Sequence, residues 1–152
     1  MKIKNVILAN LAAVALLFIL TTTLPINPKG EIFERKPVFE WRGLPTSYIV
    51  MIDDNPQFST PTTAQVKGKT YTPENDLELG EHYWKVEGIR ESKVQKFTIT
   101  SKVSLKREEK NLRNDGNTKL NLDVCGTGAA VLDVNQTVEQ CEGGMISAKQ
   151  DE

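Results

Sequence analysis

The stretch GEHYWKVEGI (80–89) decides how the rest of the chain folds. It holds the chain's only histidine, His82, and one of its only two tryptophans, Trp84. In a strand, successive side chains point to opposite faces, so His82, Trp84 and Val86 share one face and Tyr83 lies on the other. We therefore predict a core strand, with His82 as a packed or corner residue and Tyr83 as a candidate contact for a ligand.

The same alternation recurs throughout the chain after residue 30, with turn signals about every ten residues. VFEWRG (38–43) places its two aromatic residues on one face, SYIVMID (47–53) has the pattern of a central strand, and VQKFTIT (94–100) closes the set. Between them, DDNP (53–56) predicts a turn, because Asp and Asn bond back to their own backbone and proline cannot continue a central strand. The spacing predicts a mainly β fold, an antiparallel β-sandwich.

Residues 37–101 resemble a fibronectin type III-like domain, the seven-strand sandwich with an immunoglobulin-like fold. The strand with Trp41, YIVMIDDNPQF (48–58), LELGEHYWKV (77–86) and the closing FTI (97–99) carry the resemblance. The resemblance implies that these segments are strand B, strand C into C′, the loop into strand F, and strand G. The family includes adhesion, spacer, receptor and accessory domains, so the resemblance implies a fold rather than one activity.

The tyrosine that precedes strand F in this family can be aligned with the chain in two ways. Leu77, Gly80 and Tyr83 have one common spacing of the family, in which the tyrosine pins the loop as a corner. In a second common spacing the first tyrosine falls at His82, where this sequence departs from the family. The resemblance implies a corner hydrogen bond, and both alignments stay open at this point.

The first 24 residues differ from the rest of the chain. Lys2 and Lys4 precede an apolar run from Val6 to Leu20 that only Asn10 interrupts. The run is apolar on all sides and, with its flanks, has roughly the 20 residues of a membrane-spanning helix. Residues 1–24 are therefore predicted to be an N-terminal membrane anchor or signal segment. The exit carries threonines where signal peptidase prefers smaller residues, which favours a retained single-pass anchor. The basic N-terminus predicts that everything after it lies outside the cytoplasm, secreted if the segment is cleaved.

Two further segments flank the predicted sandwich. Residues 25–36 begin with PINPKG (25–30) and are predicted to be a stiff linker. Residues 102–152 are predicted to be a small C-terminal β-module with a polar tail, in which NDGN (114–117) is a turn signal. A module of this size makes only about three to five strands, so it would lean on the first domain, be stapled, or complete itself on a partner. Its short sheet would offer an edge for strand addition.

Cys125 and Cys141 are the only cysteines, and 15 residues separate them. In an oxidising exterior a disulfide between them would stabilise the module by about 3 kcal/mol, and two free thiols are the alternative. Asn135 begins the only Asn-x-Ser/Thr sequence with a non-proline middle, Asn135-Gln136-Thr137. It is a candidate glycosylation site if the protein lies outside the cell.

The residue content argues against several classes of function. A formal net charge of −1 over 152 residues predicts no nucleic-acid partner. With one histidine, no glycine-rich phosphate loop and no Cys/His spacing for a metal, we expect no catalytic residues, no cofactor and no metal. Asp53 and Asp54 lie in the predicted turn, where we expect an Asx turn rather than calcium ligands.

The expected function is that of a membrane-anchored external protein that is not an enzyme. It would act in protein–protein interaction, with a protein partner or by self-association, or as a structural or accessory subunit of a cell-envelope assembly. The alternative is a glycan-binding cell-surface module, which predicts a row of exposed aromatic side chains on one sheet face. The aromatic residues available to it are Trp41, Tyr48, Tyr71, Tyr83 and Trp84.

Overall fold

The computed structural model describes residues 2–124, 129–139 and 146–150. These ranges contain one helix and fourteen strands, so the predicted mainly β fold is confirmed. They belong to two compact units. The first unit is Met1–Ile32 with Lys36–Ile99, and the second is Phe33–Arg35 with Thr100–Glu152.

The first unit begins with helix α1, Lys2–Thr21. At 100° per residue its large apolar side chains from Ile7 to Phe18 point in every direction around the axis, and they are between 54% and 68% exposed. The helix ends where the Thr21 and Thr22 hydroxyls donate to the carbonyls of the last turn. A helix within residues 1–24 is confirmed. No helix in the described ranges is long and apolar enough to cross a membrane, so the predicted membrane-spanning segment has no support from the structure.

Eight strands of the first unit form two sheets. They are β1 (Leu24–Asn27), β2 (Gly30–Ile32), β3 (Phe39–Arg42), β4 (Ser47–Asp53), β5 (Thr62–Lys67), β6 (Thr70–Tyr71), β7 (Gly80–Glu87) and β8 (Gln95–Ile99). One sheet has the order β1-β3-β6 and the other the order β2-β8-β7-β4-β5. All neighbours are antiparallel except β2, which runs parallel to β8. Two sheets of this kind are compatible with the predicted sandwich.

Residues 25–36, predicted to be a linker, instead supply most of β1 and all of β2. Strand β1 pairs with β3, and β2 pairs with β8. Pro25 is tolerated in β1 because this strand lies at a sheet edge, where a missing N–H on the outer side breaks no ladder bond, and Pro28 lies between the two strands. The carbonyl of Pro28 also accepts the indole N–H of Trp84 at 2.9 Å, so this segment closes over the core.

The core of the first unit is aromatic and lies between the two sheets. Phe39 from β3 meets Trp84 from β7 and Phe97 from β8 edge-on, with ring centroids 5.1 and 5.7 Å apart. Trp41 packs in the same manner against Tyr48, at 5.4 Å. All five side chains are buried. Edge-to-face pairs of this kind each contribute about 0.5–1.5 kcal/mol beyond their buried area. The alternation that the sequence predicts for these strands is confirmed.

The described part of the second unit contains six strands, more than the predicted three to five. They are β9 (Leu105–Glu108), β10 (Asn111–Asn114), β11 (Leu120–Val124), β12 (Ala129–Leu132), β13 (Thr137–Glu139) and β14 (Ile146–Gln150). They form two antiparallel three-stranded sheets, β13-β10-β9 and β12-β11-β14. Most have only three or four residues, too few for a sustained alternation in the sequence. The core consists of Leu120, Leu122 and Leu132, with Leu105 and Val138 packed against it.

The predicted turn at 114–117 joins the two sheets of the second unit and depends on Asn114, which is fully buried. Its side-chain amide donates to the carbonyl oxygens of Thr118 (2.8 Å) and Leu132 (3.2 Å). Its Oδ1 accepts the backbone N–H of Gly116 at 3.0 Å. One side chain therefore makes hydrogen bonds to three backbone groups around this turn.

We expect Asn114→Ala to destabilise the second unit by about 2–4 kcal/mol, because it leaves these buried backbone groups without partners. Urea titration of the full chain, followed by amide hydrogen exchange in β10 and β11, measures the loss. Asn111→Ala, an exposed asparagine in β10, is the matched control and should stay within about 0.5 kcal/mol of the wild type. Equal losses in the two variants would contradict the role of Asn114.

Candidate functional site

The only histidine is a packed residue of the first unit. His82, in β7, is buried, and its ring stacks on Phe97 with centroids 5.3 Å apart and planes 27° apart. Its Nε2 lies 2.8 Å from the carbonyl oxygen of Glu78. Because a carbonyl can only accept, Nε2 donates this hydrogen bond. The bond ties the loop before β7 to the strand, and it gives His82 the structural role that its strand parity predicts.

Tyr83 lies on the other face of β7, as the alternation predicts, and is partly exposed. Its hydroxyl donates to Glu81 Oε2 at 3.1 Å, and Lys96 Nζ lies 5.9 Å from the centre of its ring. Lys96 also pairs with Glu81. Hydrogen bonds from Lys96 and Tyr83 hold the pKa of Glu81 below its usual value, and the bond to Glu81 raises the pKa of Lys96. The contact role of Tyr83 stays a prediction.

The other candidate residues lie in the second unit. Cys125 and Cys141 fall outside the described residues. Asn135 is exposed and occupies a left-handed turn with φ of 63°, where its N–H donates to the Asn114 carbonyl at 2.9 Å. Asparagine tolerates this conformation better than most residues, so the turn by itself accounts for its presence. Glycosylation of Asn135 stays a prediction.

The predicted Asx turn after β4 is present and depends on Asp53. Its Oδ1 accepts the backbone N–H of Asn55 at 3.1 Å and its Oδ2 that of Thr60 at 3.0 Å. Asn55 repeats the motif, accepting the N–H of Gln57 at 2.9 Å. Burial raises the pKa of Asp53, but the hydrogen bonds lower it by more, so the pKa falls below its usual value of 3.8. The carboxylate therefore acts as the organiser of this loop.

A cavity of about 360 Å³ opens beside the Asp53 loop. Its acidic lining residues are Asp53, Asp54, Asp76, Glu78 and Glu81. Within the described ranges, no set of three or more His, Cys, Asp or Glu side chains is arranged to hold a metal ion. The cavity instead gives a negative potential to the end of the sandwich where β5 begins, since Thr62 also lines it.

Strand β5 is the outermost strand of the five-stranded sheet. It pairs with β4 over six consecutive residues, from Ser47 opposite Lys67 to Ile52 opposite Thr62, without a shift in register. No other strand of the described chain pairs with its outer side. This edge is the longest regular edge of the first unit, and the sequence pattern did not reveal it.

The register identifies which backbone groups of β5 point outward. The Gly68 N–H donates to the Thr46 carbonyl at 3.1 Å, so this opposed pair is hydrogen-bonded. Hydrogen-bonded and non-hydrogen-bonded pairs alternate along an antiparallel ladder. Every second residue counted from Gly68 therefore directs its backbone N–H and C=O groups toward β4. The intervening residues direct their N–H and C=O groups away from the sheet. They are Thr63, Gln65 and Lys67, and all three are exposed.

The remaining edges of the two sheets in the first unit are short or interrupted. Strand β2 has three residues and β6 has two. Strand β1 carries Pro25 and a shift in register. Natural sheets protect their edges with such devices, whereas β5 has neither a proline nor a bulge, and Lys67 is its only charge. It is the unprotected edge of the sandwich.

A groove of about 540 Å³ runs along β5. Residues 62–65 form one wall, and Tyr71 with the loop 73–77 forms the other. Lys36 holds this loop in place, since its Nζ donates to the Glu74 carbonyl at 2.7 Å and lies 3.8 Å from Asp76. The groove leaves room for an extended segment beside the free edge.

No model of a known protein family matches the chain, and no curated protein is significantly similar to it in sequence.

We expect Asp53→Asn to weaken the dependence of stability on pH in acid. A carboxylate whose pKa is lowered in the folded state stabilises the fold above its unfolded pKa, and this contribution disappears as pH falls below that value. The wild type should therefore lose stability as pH falls below the usual aspartate pKa, and Asp53→Asn should lose less. Thermal unfolding at each pH provides the measurement. A wild-type slope in Asp53→Asn would refute the assignment.

Proposed function

We propose that this chain is an external protein that is not an enzyme and acts by binding protein, as an interaction subunit or a structural or accessory subunit of a cell-envelope assembly. The observation that carries the proposal is the unprotected edge of β5. An extended segment added there would form main-chain hydrogen bonds with the outward groups of Thr63, Gln65 and Lys67. The groove beside the edge would select side chains, as in other cases of strand addition.

The strand order supports a fibronectin type III-like fold for the first unit. The family resemblance implies that β4, β7 and β8 are strands C, F and G, which share one sheet in immunoglobulin-like sandwiches, with strand B in the other. Strand β5 follows β4 and pairs with it, and we propose it as strand C′. The observed order β8-β7-β4-β5, with β3 in the second sheet, agrees with that assignment. The His82 bond to the Glu78 carbonyl, four residues upstream, resembles the bond that a corner tyrosine makes. We propose His82 as the replacement for that tyrosine.

Burial of the aromatic residues favours protein binding over glycan binding. Trp41 and Trp84 are 2% and 0% exposed, and Tyr48 is 1% exposed. Stacking against a sugar ring needs an open aromatic face, which these three residues do not offer. A glycan site would have to rely on Tyr71 and Tyr83, which are only partly exposed.

Helix α1 supports a location outside the cytoplasm. A helix that is apolar on all sides is stable in apolar surroundings, and the described part of the chain leaves its side chains from Ile7 to Phe18 exposed. A signal segment removed after export and a segment held at the membrane both satisfy this requirement, and both leave the two β units outside.

The fate of α1 can be measured on protein taken from its native cells. We expect the intact mass to show either loss of the first two dozen or so residues, as for a signal segment, or a full-length chain that resists extraction from membranes by alkaline carbonate. A full-length chain recovered in the fraction released without detergent would contradict the proposed location.

Site-specific photo-cross-linking tests the proposed function. A photoreactive residue at position 65, in the middle of the outward edge, should yield covalent adducts with protein in the native envelope. The same residue at position 93, which is exposed and lies outside the strands, is the control and should yield few. Equal adducts at the two positions, or none at position 65, would refute binding at this edge.

A further inference from the structure

We propose that β5 pairs with β5 of a second copy of this chain, antiparallel about a twofold axis at Gln65. The two five-stranded sheets would then form one continuous sheet of ten strands. This inference rests on the proposed function, because it takes the same edge as the binding surface and names its partner.

A twofold axis restricts the register of such a pair. In an antiparallel ladder, hydrogen-bonded and non-hydrogen-bonded residue pairs alternate, so outward residues must lie opposite outward residues. A twofold axis meets this condition only when it passes through a residue that lies opposite the same residue of the second copy. With the axis at Gln65, this residue faces itself and Thr63 faces Lys67 of the second copy. All three opposed pairs consist of outward residues, and each pair makes two main-chain hydrogen bonds. The edge is thus complementary to itself.

Neighbouring registers are less favourable. An axis at Ala64 would bring Lys67 opposite Pro61, which has no N–H to donate. An axis at Val66 would bring Thr63 opposite Lys69, which follows the bend at Gly68, where φ is 110°. Each shift loses bonds from the ladder, so the geometry selects Gln65.

The side chains of the strand are compatible with this pairing on both faces. On the inner face Ala64 would meet Val66 of the second copy, and Val66 already packs against the core of its own sandwich. On the outer face Gln65 would meet Gln65, and Thr63 would meet Lys67. Like charges face each other nowhere along the edge, and cross-strand pairs of these types are favourable or neutral.

Charge favours the antiparallel direction. The Thr62 end of β5 adjoins the cavity lined by Asp53 and Asp54, and the opposite end of the strand carries Lys67. Antiparallel pairing brings the lysine of each copy to the acidic end of the other. The twofold symmetry gives two such contacts in the dimer. A parallel pair would instead place the two lysine ends together and the two acidic ends together.

Disulfide trapping in the full chain tests the register directly. Opposed residues in a bonded antiparallel pair have Cα atoms about 5.5 Å apart, within the range that a disulfide spans. Gln65→Cys should therefore form a link between two copies of residue 65 under mild oxidation, identified by the mass of the joined peptides. Thr63→Cys is the control, because its two copies would lie roughly 13 Å apart along the strand. We expect at least about tenfold more linked dimer at position 65 than at position 63, and equal or absent linking would overturn the proposal.

A charge exchange across the same pair provides a second measurement. Thr63→Lys places lysine opposite Lys67 at two symmetric positions, and it should weaken dimerisation by roughly 2- to 30-fold. Adding Lys67→Glu to that variant should restore the wild-type dimer, because each new lysine then faces a glutamate. Sedimentation equilibrium of the full chain in detergent measures both effects. An unchanged dimer in Thr63→Lys, or no recovery in the double variant, would overturn the proposed pair.

The outcomes separate this inference from the proposed function. If position 65 photo-cross-links to a different protein and Gln65→Cys gives no linked dimer, self-pairing is refuted and binding at the edge remains. If neither experiment yields an adduct, both are refuted.

Discussion

The contact of Phe39 with Trp84 and Phe97 holds the two sheets of the first unit together, and the rest of the sandwich depends on it. Phe39 belongs to β3, the central strand of the smaller sheet, and its two partners lie on adjacent strands of the larger sheet. Since strand side chains alternate, fixing Trp84 inward also fixes His82 inward and Tyr83 outward. The indole N–H of Trp84 donates to the Pro28 carbonyl, and this bond ties the segment after β1 to the core.

This core is optimised for packing more than for hydrogen bonding. Among the described residues, the Trp41 indole N–H and the Tyr48 hydroxyl are buried without a partner, which costs about 1–3 kcal/mol for each group. Burial also raises the pKa of Tyr48. A fold that keeps these polar atoms unpaired uses its aromatic side chains as packing material. The rings of Trp41, Tyr48 and Trp84 are buried, so the sheet edges and the loops are the main surfaces that remain for recognition.

Residues with long, regular alternation could be predicted from the sequence, and the remainder could not. Trp84 and Val86 indicate their strand because both are large apolar residues separated by one position. The Asp53 turn could be predicted because an aspartate side chain can accept hydrogen bonds from the backbone that follows it. Strands β1 and β2 could not be predicted because Pro25 is compatible with a strand only at a sheet edge, β2 has three residues, and the position of a strand in a sheet depends on its pairing partners. The free edge of β5 was missed for the same reason: TTAQVK (62–67) shows a short strand, but nothing local shows which side of it is unpaired.

A bare edge with regular register is a hazard for a protein at high local concentration, because any extended segment can add to it. Pairing β5 with its own copy would remove this hazard. The ten-stranded sheet would end on both sides in β2, which offers only three residues and follows two prolines. This one symmetric contact would thus leave the combined sheet without a long unpaired edge strand. The short edges of the first unit would then prevent strand addition, and the long edge at β5 would accept one strand, that of the second copy.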